Sequence, residues 1–213
     1  MARTVTVDLR ARDLLASNPV VPVIVIDDAA HAPELVAALA AGGIHCAEIT
    51  LRTDAGLPAI AAVAETVGFA VGAGTVISLD DLERSADAGA RFIVSPGLDD
   101  EIVERALELG LVVLPGVATG SEVQRAVKLG LDVVKFFPAD RLGGLATIAA
   151  LSAPFVGVGF VPSGGVSAAN AAEYLAHPAV PAVSGSWMAT RAMIAAGDFA
   201  GVERATRDAV AAL

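Results

Sequence analysis

The stretch LDDEIVERALELGLVVLP (98–115) holds a helix, a glycine and a strand in close succession. Asp99 stands where a helix N-cap belongs, because its side chain can accept from a backbone N–H left free at the helix start. Asp100 and Glu101 suit the positive end of the helix dipole. Ile102, Ala106 and Leu109 recur at helical spacing. Gly110 relieves the left-handed conformation that closes many helices. LVVLP then follows as a short, apolar, β-branched run of strand type.

The same unit recurs along the chain. AGG (41–43), VGF (67–69), AGA (88–90), LGL (109–111) and LGL (129–131) each separate a helix-like from a strand-like stretch. Strands are predicted at 20–26, 45–51, 69–74, 91–95, 111–115, 132–137, 155–161 and 179–184. Several are continuous apolar runs, as parallel strands buried on both faces require. A further helix is predicted over about 7–17 and another over about 198–212. Eight strand-helix units in about 200 residues predict an α/β fold of the (β/α)8 TIM-barrel type, preceded by an N-terminal helix. The whole chain, 1–213, then forms a single domain. The competing fold is an open doubly wound sheet, whose glycine fingerprint follows its first strand. Here the nearest match, VGAGTVI (71–77), lacks the third glycine and follows the third strand.

Composition narrows the function. Hydrophobic residues make up 55% and charged residues 18%, with a mean hydropathy of +0.67, which suits a buried core and argues against disorder. No apolar run reaches the roughly 18–20 residues of a membrane helix; the richest, LVAALAAGGIHCA (35–47), is broken by Gly42, Gly43 and His45. The N-terminal stretch scatters Arg and Asp and lacks an apolar centre, so a cytoplasmic location is expected. A net charge of −10 repels nucleic acid and anionic membranes, which excludes both as partners. The single cysteine, Cys46, reads as a packed core thiol. His31, His45 and His177 lie in different units and make no ligand spacing, so no metal site is expected.

The active face of such a barrel is the C-terminal ends of its strands. In DVVKFF (132–137), alternation puts Val133, Lys135 and Phe137 on one face and Val134 and Phe136 on the other. The second pair suits the helices outside, so Lys135 points inward, near the top. The chain has only one other lysine, Lys128, placed at a helix end where a cation favours the dipole. Lys135 could simply snorkel to water, yet apolar neighbours and inward parity oppose that. In CAEITLR (46–52) the parity of Cys46, Glu48, Thr50 and Arg52 turns Glu48 inward and puts Arg52 at the strand end. A plain interior ion pair is the bland alternative. A desolvated amine beside a second cation loses its proton more easily, and a neutral amine attacks a ketone to give a Schiff base. A nearby carboxylate can shuttle the protons. The last two loops, VPSGGVS (161–167) and VSGSWM (183–188), expose backbone N–H groups before expected helices. That is where such barrels frequently hold phosphate.

Taken together, PVVPVIV (19–25), AGGIHCAEITLRT (41–53), VGAGTV (71–76), SPGL (95–98), PGVAT (115–119), KFFPA (135–139), PSGG (162–165) and SGSW (184–187) resemble one family over nearly the whole chain. It is the class I aldolases acting on 2-keto-3-deoxy-6-phosphogluconate (KDPG), of the Entner–Doudoroff pathway, and on 4-hydroxy-2-oxoglutarate (KHG). The resemblance implies Lys135 as the Schiff-base lysine and Glu48 as general acid/base, acting partly through a water. It implies Arg52 and Thr75 as holders of the pyruvate carboxylate, with Pro96 and Phe137 lining the pocket. Ser163, Gly164, Gly165, Gly185 and Ser186 would meet the phosphate end. A homotrimer without metal or organic cofactor is implied as well. Two positions depart from the family pattern. Ser163 replaces a usual threonine, and Ser184 replaces a usual glycine, adding a donor expected near the phosphate and away from the amine. A relative acting on the galactonate epimer or on 4-hydroxy-2-oxoglutarate would share the core motifs. An isomerase or epimerase barrel would need no inward lysine, and a non-catalytic scaffold would need none of Glu48, Arg52 and Lys135.

Overall fold

The computed structural model describes residues 11–213. Of the predicted N-terminal helix, Ala11–Ala16 is helical, and positions 7–10 lie outside the described residues. The strands are β1 (Val20–Ile24), β2 (Cys46–Thr50), β3 (Ala70–Gly74), β4 (Phe92–Val94), β5 (Val112–Leu114), β6 (Gly116–Val117), β7 (Val133–Phe136), β8 (Gly159–Pro162) and β9 (Val183–Gly185). All pair in parallel. Six form one curled sheet in the order β5-β4-β3-β2-β1-β9, and three form another, β6-β7-β8. Helices separate the strands except β5 and β6, as parallel pairing demands of its crossovers.

The sequence signals explain these elements. Asp99 caps the helix Asp100–Glu108, accepting from the Ile102 N–H at 3.1 Å. Gly110 and Gly130 sit past their helices at φ 72 and 85, a region that a Cβ disfavours. Lys128 is exposed in the last turn of the helix Gly120–Lys128. The C-terminal helix runs Phe199–Ala211. The buried side chains gather into one cluster that reaches from Leu14 to Val202.

Two expectations shift. The fifth strand is interrupted at Pro115. β5 pairs with β4, and β6, just beyond the proline, pairs with β7. Proline cannot donate to a ladder. The seventh expected strand begins not at 155 but at Gly159, and the eighth not at 179 but at Val183. Val156, ahead of the seventh, is 90% exposed, and Gly157 takes φ 91.

The strand faces follow the alternation. Phe136, on the outer side of β7, is fully buried, and Lys135 shares an interior cavity with Glu48 and Ser184. The C-terminal strand ends therefore carry Arg52, Thr75, Pro96, Phe137, Ser163 and Ser186, each within two residues of its strand.

Candidate active site

Lys135 is 5% exposed and Glu48 is 1% exposed. Their side chains meet although they are 87 residues apart: Nζ stands 3.4 Å from Oε1. The backbone fixes both. The Lys135 N–H donates to the Pro115 carbonyl at 2.9 Å, and Lys135 is in register with Val161 of β8. Glu48 lies mid-strand, in register with Val23 on one side and Gly72 on the other. Nζ also lies 5.4 Å from the centre of the Phe137 ring, within cation–π range.

Room for the carboxylate comes from glycine. Gly72 and Gly74 are two apart on β3 and so share a face. A Cβ at Gly74 would overlap the Glu48 carboxylate, and one at Gly72 would overlap the Phe92 ring. In the sequence this segment serves as a rejected dinucleotide fingerprint and as a family motif, and neither reading gives the two glycines this role. Their period of two was the available signal.

Arg52 is exposed, and its Nε donates to Thr75 Oγ1 at 3.2 Å. Thr75 holds φ 63, an uncommon conformation for a β-branched residue. The sequence reading made Arg52 the cation beside the amine. In the structure the charged partner of Lys135 is Glu48, while Arg52 is engaged with Thr75. Pro96 lies exposed just past β4, and its carbonyl crowds Gly116 so closely that a Cβ there would overlap it. Phe137 is half-buried, and its peptide bond to Pro138 is cis.

The two late loops meet through a parallel bridge between Ser163 and Ser184. Gly164 and Gly165 take φ 89 and 77. Among the described residues no carbonyl accepts from the N–H of Gly165 or Ser186. The expected helix starts are displaced, however. The helix after β8 is Ala171–Leu175 rather than one beginning near Ser167, and the Ser167 N–H is already taken by Asn170 Oδ1 at 2.8 Å. The helix after β9 is Arg191–Ala195, capped by Thr190. Both are short and set back, so the free N–H groups of the loops are the available anion donors. Asp140 packs against the same region, for a Cβ at Gly165 would overlap its side chain. A carboxylate there opposes a phosphate.

Ser184 corrects the sequence reading. It is 2% exposed and faces inward, lining a cavity with Glu48 and Lys135 rather than the phosphate loops. Cys46 is a buried thiol that burial pushes up to about 12, which suits packing rather than reaction. The histidines make local contacts: His31 lies edge-on to Phe199 with ring centres 5.6 Å apart, and His177 Nδ1 accepts from the Ala179 N–H at 3.2 Å. Among the described residues no group of three or more His, Cys, Asp or Glu side chains is placed to hold a metal ion, and no helix is long and apolar enough to cross a membrane.

Comparison with known proteins bears on this arrangement. The family model for KDPG and KHG aldolase matches residues 12–205. The chain belongs to the KDPG and KHG aldolase family. A 2-dehydro-3-deoxy-phosphogluconate aldolase of Treponema pallidum is 45% identical over 184 residues, which is 86% of this chain and 88% of that protein. Among solved structures, the KDPG aldolase of Legionella pneumophila has a TM-score of 0.89 at 36% identity, covering 92% of this chain and 96% of its own. In that crystal pyruvate was captured at low pH as a covalent carbinolamine intermediate. The aldolase of Zymomonas mobilis ZM4, solved with 3-phosphoglycerate, has a TM-score of 0.87 at 38% identity and covers 93% of this chain and 94% of its own. The stretch matched by the family model contains every strand and every site position described above.

Proposed function

We propose that this aldolase reversibly cleaves KDPG to pyruvate and glyceraldehyde 3-phosphate, as a class I aldehyde-lyase working through a Schiff base on Lys135. The observation that carries the reading is the buried Lys135–Glu48 pair, 3.4 Å apart inside the C-terminal strand ends. The neutral amine attacks the C2 ketone, and the carbinolamine loses its hydroxyl as water to leave an iminium. Glu48, in part through a water, takes the C4 hydroxyl proton. The C3–C4 bond then breaks, its electrons flow into the iminium, and glyceraldehyde 3-phosphate departs from an enamine. Glu48 returns a proton to C3, and water releases pyruvate from Lys135.

The remaining positions bind. Arg52 with Thr75 holds the pyruvate carboxylate, and Pro96 and Phe137 wall that end. Ser163, Gly164, Gly165, Gly185 and Ser186 meet the phosphate. Support comes from the Arg52–Thr75 hydrogen bond and from the N–H groups of Gly165 and Ser186, which no carbonyl accepts from among the described residues. The steps use side chains alone, so neither a metal nor an organic cofactor is assigned, and activity is expected to survive EDTA.

The same reading closes the two sheets into one eight-stranded barrel, with β5 and β6 as a single strand. The Ser163–Ser184 bridge and the hydrogen bond from Lys135 N–H to Pro115 support that closure. Residues 1–213 then form one domain around the shared cluster of buried side chains. A cytoplasmic homotrimer completes the proposal. It rests on the family resemblance, and sedimentation of the purified protein tests it.

Pyruvate with borohydride tests the chemistry. A reduced pyruvyl group is expected on Lys135 by peptide mapping, and an adduct on Lys128, or none, would remove the assignment. A second substrate, 4-hydroxy-2-oxoglutarate, is favoured by Asp140. A carboxylate-ended substrate brings less negative charge toward Gly165 than a phosphate ester does. Asp140→Asn is therefore expected to raise kcat/KM for KDPG severalfold relative to 4-hydroxy-2-oxoglutarate. An unchanged ratio would show that Asp140 does not select between them.

A further inference from the structure

Ser184 is an unusual guest in this site. Its hydroxyl is buried, and among the described residues its oxygen has no hydrogen-bond partner. A buried hydroxyl left so is costly, and most such groups are satisfied by protein or by ordered water. Its register shows how it reaches the interior. Ser184 pairs with Val21 of β1 on one side and bridges Ser163 on the other, while its neighbour Val183 is buried on the opposite face.

The hydroxyl opens on a cavity of about 10 Å³, which it shares with Glu48 and Lys135. The rest of the wall is Val21, Val94, Leu114 and Val161. None of Arg52, Thr75, Pro96 and Phe137 lines it. The cavity is thus walled by the Lys135–Glu48 pair, Ser184 and apolar side chains, apart from the residues expected to hold the pyruvate carboxylate. Its volume is near the ~10–15 Å³ that one water requires, and a stable buried water needs two to four polar partners. Glu48, Lys135 and Ser184 supply three. A purely apolar cavity of this size would stay dry, so the hydroxyl decides the matter.

We propose that Ser184 anchors a single interior water that hydrogen-bonds the Glu48 carboxylate and the Lys135 amine, and that it is a positioning residue for the proton transfers of the aldolase reaction. This rests on the Schiff-base reading given above. The physical reason is access. Both members of the pair are nearly sealed from bulk solvent, so few groups can carry a proton to or from them. A water fixed by Ser184 donates to the carboxylate when Glu48 is ionised and accepts from the amine. It therefore biases which member holds the proton at each step. A hydroxyl is suited to hold it, being both donor and acceptor.

The test has two arms. The first is a structure at a resolution that shows ordered water. It is expected to place one water within hydrogen-bond distance of Ser184 Oγ and of Glu48 or Lys135, and to lose it in Ser184→Ala. A dry cavity overturns the proposal whether or not the protein is an aldolase. The second arm is kinetic. With melting temperature checked, Ser184→Ala is expected to lower kcat by about tenfold, less than the ~10²–10⁴ that removing an acid–base group costs. KM is expected to stay within about twofold, and a limb of the kcat–pH profile to move, as a biased proton demands. A folded Ser184→Ala enzyme with unchanged kcat and unchanged pH profile overturns the positioning role. Borohydride trapping of pyruvate on Lys135 in the same variant separates the two readings: failure already in the unaltered protein faults the Schiff base, not Ser184.

Discussion

A methyl group added at Gly74 would meet the Glu48 carboxylate. The atoms in its way belong to a flexible side chain, so Glu48 can swing aside, and doing so moves the oxygen that stands 3.4 Å from Lys135 Nζ. Gly74→Ala is therefore expected to lower turnover toward the level of Glu48→Gln, itself roughly 10²–10⁴ below normal. The stability loss should be modest, about 1–3 kcal/mol as for a small overpacking. Steady-state rates of the two variants and their double mutant provide the check. If Gly74→Ala costs nothing, or adds its full effect on top of Glu48→Gln, the glycine is not clearing space for the carboxylate. The same logic explains why parity alone could bring Glu48 and Lys135 to one interior. It could not reveal the glycine slot, because an absent side chain leaves no chemical signal except its spacing.

The helix Gly120–Lys128 links the seam strand β6 to the next unit, and its start is held by a capping box. Glu122 Oε2 accepts from the Ala118 and Thr119 N–H groups, both at 2.8 Å, while Thr119 Oγ1 accepts from the Glu122 N–H. Desolvation pushes the Glu122 carboxyl up, but the hydrogen bonds from Ala118 and Thr119 outweigh it, and the net shift is downward. The sign follows. A carboxyl lowered by folding contributes stability that is present above its ordinary range and fades as pH falls through the lowered value. Thr119→Ala is expected to cost about 1 kcal/mol, or about 2–4 °C in Tm for a chain of this size. Glu122→Gln should flatten the acid limb of a Tm–pH curve, and an unaltered acid limb would show that the cap bears no such load. Caps of this strength were legible at Asp99, where a single residue could serve. They were misread at Ser167, where Ser167 and Asn170 are both good local hydrogen-bonders. Propensity does not say which wins. Asn170 takes the Ser167 N–H, and the helix starts after it.

Over the whole molecule, repeat and alternation made the parallel α/β layout legible, because both follow from local periodicity. Which strand neighbours which across Pro115 was not legible, since a period of two says where a side chain faces and nothing about its partner. There the chain leaves β4 and joins β7, and the join is tight. A Cβ at Gly116 would overlap the Pro96 carbonyl, a backbone atom that no rotamer change can move. Gly116 is in register with Lys135, whose N–H donates to Pro115. One glycine therefore couples the closing of the sheet, the Pro96 wall and the backbone that carries the reactive amine. Gly116→Ala is expected to destabilise by about 1–3 kcal/mol, which corresponds to a Tm lower by roughly 2–12 °C at ~2–4 °C per kcal/mol. Because the strain lands on β7, trapping of pyruvate on Lys135 should slow in parallel, measured well below the new Tm. A surface change of equal stability cost, such as Thr119→Ala, should leave trapping untouched. If Gly116→Ala lowers Tm but traps pyruvate at the normal rate, the seam supports the fold without positioning Lys135. If neither changes, the two sheets are not joined tightly at this point, and the proposed closure loses its seam.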